Sequence, residues 1–497
     1  MSGRAPSAFA QRCAVHTAER EAACHQAAAA IEASGVHSVR ISWCDLHGQL
    51  RGKTLMAHAA VRALRDGVGM VSTLLLKDAG DRTAWPVFEP GATTSLPGFA
   101  GASNLILLPD PASFRRLPWD EGTGWMRGQP WFADGTPVKL DSRTVLQNAL
   151  ERLAASGHGL KTGLEVEFHI YRITDTSPQF DPHRADWPGE PPTVEMIHPG
   201  YNLHSEALMD LAREPMDIVR RTAQALDLPL QSLEIELGPS QVEAVFDATD
   251  ALTAADQMVL FRNGVRQALR RAGYHASFMC RPPFDHIMSS GWHLHQSLFD
   301  LKTGINAFMR AAPARGSQPV MASHTLSDSG AQWLAGLLTH ARAIAPLCTP
   351  TVNGYGRFQA QALAPQSVLW GLDNRGAMLR VIGGASDPGT RIENRIGEPA
   401  ANPYLYMAAQ IHAGLSGLRR GLRPPEASEA PYAPGAERLP SSLGEALDAL
   451  QADTALNASL GQSFIDYYTH IKRNEIQRHA QAPDARQFER REYFART

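Results

Sequence analysis

The sequence predicts a mixed α+β protein of at least two domains, and three observations lead there. The chain has 497 residues, more than one hydrophobic core holds, since domains cluster near about 100–150 residues. Helix-like and strand-like segments alternate along most of it. A stretch rich in Pro, Gly and Trp at 109–135 interrupts that alternation and predicts a boundary near residue 130, giving domains 1–130 and 131–497.

The elements follow in order. From about Glu21 to Ser34 an Ala-rich run with interspersed charge predicts a helix, stopped by Gly35. Val36–Trp43 alternates like a strand, and Asp45–Gly48 reads as a turn. Short apolar runs continue to Ile106–Pro109. A second helix is expected near Asp141, which with Ser142 offers capping chemistry ahead of VLQNALERLAAS. Arg423–Ser442 is a Pro-rich surface excursion, and from Leu443 onward the pattern is helical again.

Composition narrows the function. Apolar residues are 43% and charged residues 20%, ordinary for a soluble globular chain. With 47 basic against 50 acidic residues the net charge is −3, which offers no electrostatic footprint for nucleic acid or an anionic membrane. Cys13, Cys24, Cys44, Cys280 and Cys348 are scattered, without a C-x-x-C pair, and read as reduced thiols. Nothing resembles a leader or a membrane span, so the expected location is cytoplasmic.

The informative signal is a set of four strands whose two faces differ. In GLEVEFHIY, Leu164, Val166, Phe168 and Ile170 alternate with Glu165, Glu167, His169 and Tyr171. In SLEIELGPSQVE, Glu234 and Glu236 alternate with apolar residues, and Glu243 follows a turn at Gly238–Pro239. GWHLHQSLF carries His293, His295 and Ser297 on one face, and RIENRIG carries Arg391, Glu393 and Arg395. Side chains alternate faces along a strand, so each segment packs one face and presents ionisable groups on the other. One such strand could be a solvated edge. Four with Glu, His and Arg, all weak strand formers, are better read as one array. Crowded carboxylates need compensating cations. Oxygen-rich sites with an imidazole suit Mg²⁺ or Mn²⁺, and arginines suit phosphate and carboxylate. Together these are the equipment of phosphoryl transfer.

At these residues the sequence resembles the glutamine synthetase superfamily. Glu165-Val-Glu167-Phe168, Glu236-Leu-Gly-Pro-Ser-Gln-Val-Glu243, Gly291-Trp-His293-Leu-His295-Gln-Ser297-Leu298, Trp370 through Arg375 to Arg380, and Arg391-Ile-Glu393-Asn-Arg395 carry the likeness. Asp45-Leu-His-Gly48 with Arg51-Gly-Lys53 is similar to the loop that the family lends to a neighbouring subunit. The resemblance implies a β-grasp-like N-terminal domain and a catalytic domain on a curved, mainly antiparallel sheet flanked by helices. It implies ATP as co-substrate and two or three Mg²⁺ or Mn²⁺ ions per site. One ion would be held by Glu167, Glu236 and Glu243, another by Glu165, His293 and Glu393. His295, Ser297, Arg375, Arg380 and Arg391 would contact ATP, with Arg375 acting in catalysis. Arg357 and Arg395 would bind glutamate, and Asp45 would hold or deprotonate the amine. The family phosphorylates the γ-carboxylate of glutamate, and an amine then attacks the acyl phosphate. Hexameric rings, stacked as twelve subunits, are expected.

Departures from the family pattern point to the amine. Asn353-Gly354-Tyr355-Gly356-Arg357 stands where the family reads N-S-Y-K-R, and its two glycines predict a looser loop. Leu363 lies where ammonia-using members carry a glutamate that helps bind ammonium, and Met288 lies where they often have a polar residue. Both add apolar surface, so an aniline-like or alkylamine substrate is expected and γ-glutamylamide the product. A true glutamine synthetase and a non-catalytic homologue are the competing readings. Gly48-Gln-Leu-Arg-Gly52-Lys53-Thr54 is one residue short of a P-loop between its glycines and reads as a connecting loop. His169 reads as packing, Glu234 as ambiguous, and Trp370, Tyr467 and Tyr468 as core.

Overall fold

The computed structural model describes residues 8–312, 320–358 and 363–497. Residues 359–362, between Arg357 and Leu363, and the first seven, part of the stretch read for a leader, lie outside the described residues. The α+β class holds. The chain divides into two compact units, 1–144 with 225–227, and 145–224 with 228–497.

Among the described residues the first unit carries a six-stranded sheet: β1 (Ser38–Cys44), β2 (Leu50–Met56), β3 (Val68–Val71), β4 (Asn104–Pro109), β5 (Arg115–Leu117) and β6 (Asp120–Trp131). β1 and β2 form an antiparallel hairpin, the helix Ala57–Asp66 follows, and β6 returns parallel to β1. That hairpin, helix and parallel return are the elements of a β-grasp. The helix expected from Glu21 runs Ala18–Ala33 because Thr17 caps it three residues earlier, accepting from the Arg20 amide at 3.1 Å. Asp141 also caps as expected, its carboxylate accepting from the Thr144 amide at 2.9 Å.

The second unit is built on a nine-stranded sheet: β7 (His158–Asp175), β8 (Thr193–Met196), β9 (Leu230–Ile235), β10 (Gln241–Asp250), β11 (Tyr274–Ser277), β12 (Trp292–Asp300), β13 (Trp370–Leu372), β14 (Leu379–Ile382) and β15 (Arg391–Gly397). Every pairing is antiparallel except β13 with β14. The spine is β7, flanked by β10 and β12. Its apolar side chains pack toward the helix Ala251–Arg271. Phe168 stacks on Phe278 with centroids 4.7 Å apart and meets Phe261 edge-on at 6.0 Å. Burying each such ring contributes about 1.5–3 kcal/mol, so the face of β7 that is apolar in the sequence is committed to the core.

Elsewhere in this unit the helix Pro403–Arg420, capped by Asn402, packs on the helix Asp328–Thr339. Trp370, Tyr467 and Tyr468 are buried as expected. The Pro-rich excursion lacks regular structure yet is tied to β13: Trp370 Nε1 donates to Pro425 O at 2.9 Å and the Ser428 amide to Trp370 O at 2.8 Å. All five cysteines are buried and unbridged. Among the described residues no helix is long and apolar enough to cross a membrane.

Candidate active site

Register assembles the site. On β7 and β10, Glu167 faces Glu243; on β7 and β12, Glu165 faces His293. On β12 and β15, His295 faces Glu393, which in turn faces Arg380 on β14. Directly opposed residues share a face, so four antiparallel pairings put these groups on the side of the sheet away from Phe168. Glu236 lies just beyond β9, and its ligand oxygen comes within 4.8 Å of those of Glu167 and Glu243.

A second set, Glu165, His295 and Glu393, also brings one atom each within 4.8 Å. The imidazole expected there was His293. It stands between the two sets, with Nδ1 at 3.4 Å from Glu165 and 3.6 Å from Glu393, and Nε2 at 3.7 Å from Glu167. Proton inventory separates the two histidines. Arg391 Nε donates to His295 Nδ1 at 3.0 Å, so a neutral His295 carries its proton on Nε2, 2.9 Å from Glu165. That nitrogen has no lone pair for a cation. Burial, with Arg395 nearby, pushes His293 down to about 4 and keeps it neutral. His295 is thus held between Arg391 and Glu165, and His293 stands between the two carboxylate sets.

The electrostatics are those of a site short of positive charge. Burial, then the charge of Glu236, raises Glu167 to about 7. Burial, then the charges of Glu167, Glu165 and Glu236, raises Glu243 to about 11. At Glu165 burial acts upward, but contacts with His293 and His295 outweigh it and hold the carboxyl far below its usual range. Glu393 is fully buried; burial acts upward, but its neighbours His293 and Arg395 hold the carboxyl below its usual range. The Nε2 of His293 is buried without a hydrogen-bond partner. An oxygen-rich set with one neutral imidazole and an orphaned buried nitrogen fits divalent cations.

The arginines divide. Arg380 Nη1 donates to Glu393 at 3.1 Å while its Nη2 and Nε bind Asp373 at 2.5 and 3.0 Å. Arg395 pairs with Glu393 through Nη1. Arg357 is buried and donates to Arg395 O at 2.8 Å. A Cβ on Gly291 would sit 2.4 Å from Arg357 Nη2, so glycine is needed there for the guanidinium to approach β12. Arg375 is exposed on the loop after β13. Ser297, His295, Glu165 and Arg391 line one cavity of ≈270 Å³ with Lys161, a residue absent from the expected set. Lys161 was findable: it shares the parity of Glu165 on β7 and pairs with Ser297.

Other supports have no such signal. Gln241 Nε2 donates to Glu167 at 2.9 Å and to Ser290 Oγ at 3.0 Å, and the Gly291 amide donates to Glu167 at 2.9 Å. Buried Glu398 accepts from the amide and hydroxyl of Thr351 at 2.7 and 2.8 Å, behind the turn bearing Arg357. His169 packs as expected, buried and 3.3 Å from Ser290 Oγ. Glu234 is taken by Ser232 at 2.7 Å and His204 at 3.1 Å. Met288 is half-buried, whereas Leu363 is 63% exposed at φ 55°. In the first unit Asp45 is buried. Its carboxylate accepts from the His47 and Gln49 amides at 2.9 Å and from Arg51 Nε at 2.8 Å, so it holds its own turn together.

The expected looseness of the Arg357 turn is corrected in part. A Cβ at Gly354 would lie 2.5 Å from Thr349 Cγ2 and 2.6 Å from Glu398 Oε2, so this glycine marks tight packing; only Gly356 faces open space.

An α+β fold with paired carboxylate sets and arginines on one sheet face presents the donor groups that cation-dependent phosphoryl transfer requires. The family description "Glutamine synthetase, catalytic domain" matches residues 139–493. The chain belongs to the glutamine synthetase family and is a ligase of that family. It is 37% identical to a gamma-glutamylanilide synthase from an Acinetobacter species, over 94% of each chain. It is 31% identical to a glutamine synthetase from Thermococcus kodakarensis, over 86% of this chain and 87% of that one. A solved structure of a GmaS/ADP complex superposes with a TM-score of 0.73 at 27% identity, covering 93% of this chain and 98% of that one.

Proposed function

We propose that the chain joins the γ-carboxylate of glutamate to an organic amine, aniline-like or alkyl, at the expense of ATP. The observation that carries this reading is the convergence of Glu167, Glu236 and Glu243 beside Glu165, His295 and Glu393, with His293 between the two sets, on one sheet face. The likeness to a gamma-glutamylanilide synthase across 94% of both chains supports the amine class.

Glu167, Glu236 and Glu243 would hold one divalent cation, and Glu165, His293 and Glu393 another; Mg²⁺ or Mn²⁺ there would offset phosphate charge. The chain's own residues do the rest. Buried Arg357 and Arg395 bind and orient glutamate through its carboxylates. Arg380, Arg391, Ser297 and His295 position ATP, and Arg375, exposed on its loop, meets the transferring phosphoryl. A γ-carboxylate oxygen attacks the γ-phosphorus, the bond to the ADP oxygen breaks, and γ-glutamyl phosphate forms. The amine nitrogen then attacks the acyl carbon, phosphate leaves, and the nitrogen loses a proton. Met288 and Leu363 give the amine an apolar boundary. The turn tied by Asp45 completes a neighbouring subunit's site in hexameric rings stacked as a dodecamer, with the enzyme working in the cytoplasm.

The test is phosphate release from ATP with glutamate and Mg²⁺, offered ammonia, putrescine, ethanolamine, isopropylamine or aniline. Turnover led by an organic amine is expected. Ammonia as the best amine would overturn the reading in favour of a true glutamine synthetase, and no turnover with any amine would indicate a non-catalytic homologue.

A further inference from the structure

The cavity lined by Glu165, His295, Ser297 and Arg391 extends past Glu165 along β7, through Gly163 to Lys161. Val245–Ala248 of β10 form its other side. Lys161, Gly163 and Glu165 share parity on the strand and so share a face. Lys161 stands four residues from Glu165, about 13 Å along a strand. Gly163 leaves the floor between them without a side chain, where a Cβ would touch Ala248 Cβ and His295 Cβ at 3.6 Å.

Two charged side chains meet this floor without meeting each other. Lys161 pairs across strands with Ser297 and Asp250, yet among the described residues its ammonium makes no hydrogen bond or ion pair. Asp250 is engaged elsewhere, capping the helix Ala251–Arg271 by accepting from the Thr253 amide at 3.0 Å. Opposite Gly163 the pairing of β7 with β10 slips between Phe246 and Thr249, so Asp247 and Ala248 sit in a bulge. Bulges re-aim side chains. Asp247 lines the cavity, and its carboxylate too makes no hydrogen bond or ion pair among the described residues.

We propose, resting on the ATP-dependent ligase reading of this site, that Lys161 and Asp247 recognise the nucleoside end of ATP. The ammonium donates to a ring nitrogen of the purine, and the carboxylate accepts from its exocyclic amine. The phosphates belong at the other end, where Arg391 and the carboxylates that suit cations gather. Lys161 lies farther from Glu165 than a triphosphate chain extends, so it meets the adenosine half. Adenine presents a ring acceptor beside an amine donor, whereas guanine carries an oxygen acceptor where that donor stands. An ammonium only donates and an ionised carboxylate only accepts, so the pair fits adenine and disfavours guanine. The bare floor at Gly163 leaves room for a flat ring between them.

Calorimetric titration of the full-length protein with ADP and, separately, GDP, each with Mg²⁺, tests this alongside turnover kinetics. Lys161→Gln should weaken ADP binding by about tenfold, the factor that one lost charged contact corresponds to. Its circular dichroism should stay unchanged, because the side chain is exposed. Lys161→Arg should recover most of the binding. In turnover, Lys161→Gln should raise KM for ATP by the same factor, while kcat at saturating ATP and KM for glutamate hold. That split is expected when the lost contact is equally strong in the ground and transition states. Asp247→Asn should shrink the preference for ADP over GDP by about tenfold, since an amide can donate to the guanine oxygen. Equal ADP binding by the wild type and Lys161→Gln, or a fall in kcat at saturating ATP, overturns the role of Lys161. An unchanged preference in Asp247→Asn overturns that of Asp247. The ligase reading fails separately: a wild type that binds ADP yet turns over no amine refutes the ligase and leaves the nucleotide contacts standing. No ADP binding by the wild type refutes both.

Discussion

Glu243 is the residue whose charge is most compromised by its surroundings, with Glu167, Glu165 and Glu236 all acting on it. Replacing it should separate stability from activity. Glu243→Gln removes one crowded carboxylate, so the metal-free protein is expected to melt higher, by about 2–4 °C for each kcal/mol of repulsion relieved. Turnover should fall by at least the ~10–100-fold seen when groups one layer further from a metal are changed. Melting in EDTA and steady-state kinetics check both halves. Glu167 adds a pH dependence. Its carboxyl rises from 4.5 to about 7 on folding, so between those values the folded state holds a proton that the unfolded state has released. Without divalent cations, stability should therefore fall as pH rises from about 4.5 to 7, and Mg²⁺ should flatten that slope. A melting temperature that rises through this window in EDTA would overturn the assignment. Both effects were partly legible from the alternation in GLEVEFHIY, which put Glu165 and Glu167 on one face. The division between His293 and His295 was not, because it turns on Arg391 reaching one imidazole nitrogen across a strand pairing.

At the scale of the element, the turn Asn353–Arg357 and the start of β12 decide how the buried guanidinium of Arg357 is presented. Gly354→Ala forces a methyl against Thr349 and Glu398 and should cost about 1–3 kcal/mol, as overpacking does. Gly356→Ala meets no atom within 4 Å and should be neutral or stabilise by up to about 1 kcal/mol. Denaturant titration of the two variants checks the contrast; equal costs would mean that the turn is packed differently. Glu398→Ala strands the Thr351 amide and hydroxyl, an expected loss of about 1–3 kcal/mol with a raised KM for glutamate. From the sequence this turn looked loose, since two glycines read as freedom. One of them is instead a consequence of Glu398, a residue 44 positions away that no local pattern connects to it.

For the whole molecule, the shared-site reading predicts an assembly of six or twelve chains of 54.0 kDa. Light scattering should return that mass, and a monomer with full turnover would refute the sharing. Amine choice is also a property of the whole site. Leu363→Glu should raise ammonia-supported turnover relative to aniline if this position borders the amine; an unchanged ratio would remove Leu363 from the site.

The sequence by itself determined the mixed fold class, the strands and their chemically distinct faces, the Asp141 cap, and the carboxylates and imidazoles that could hold cations. These are local properties, set by side-chain periodicity and capping. Tertiary structure alone decided which residue meets which. Strand register aligned Glu167 with Glu243 and Glu393 with Arg380, and brought Lys161 beside Ser297. The reason is physical: a two-residue period assigns each side chain a face, but partners across a pairing depend on alignment, and a slip of one residue would turn the whole row to the other side.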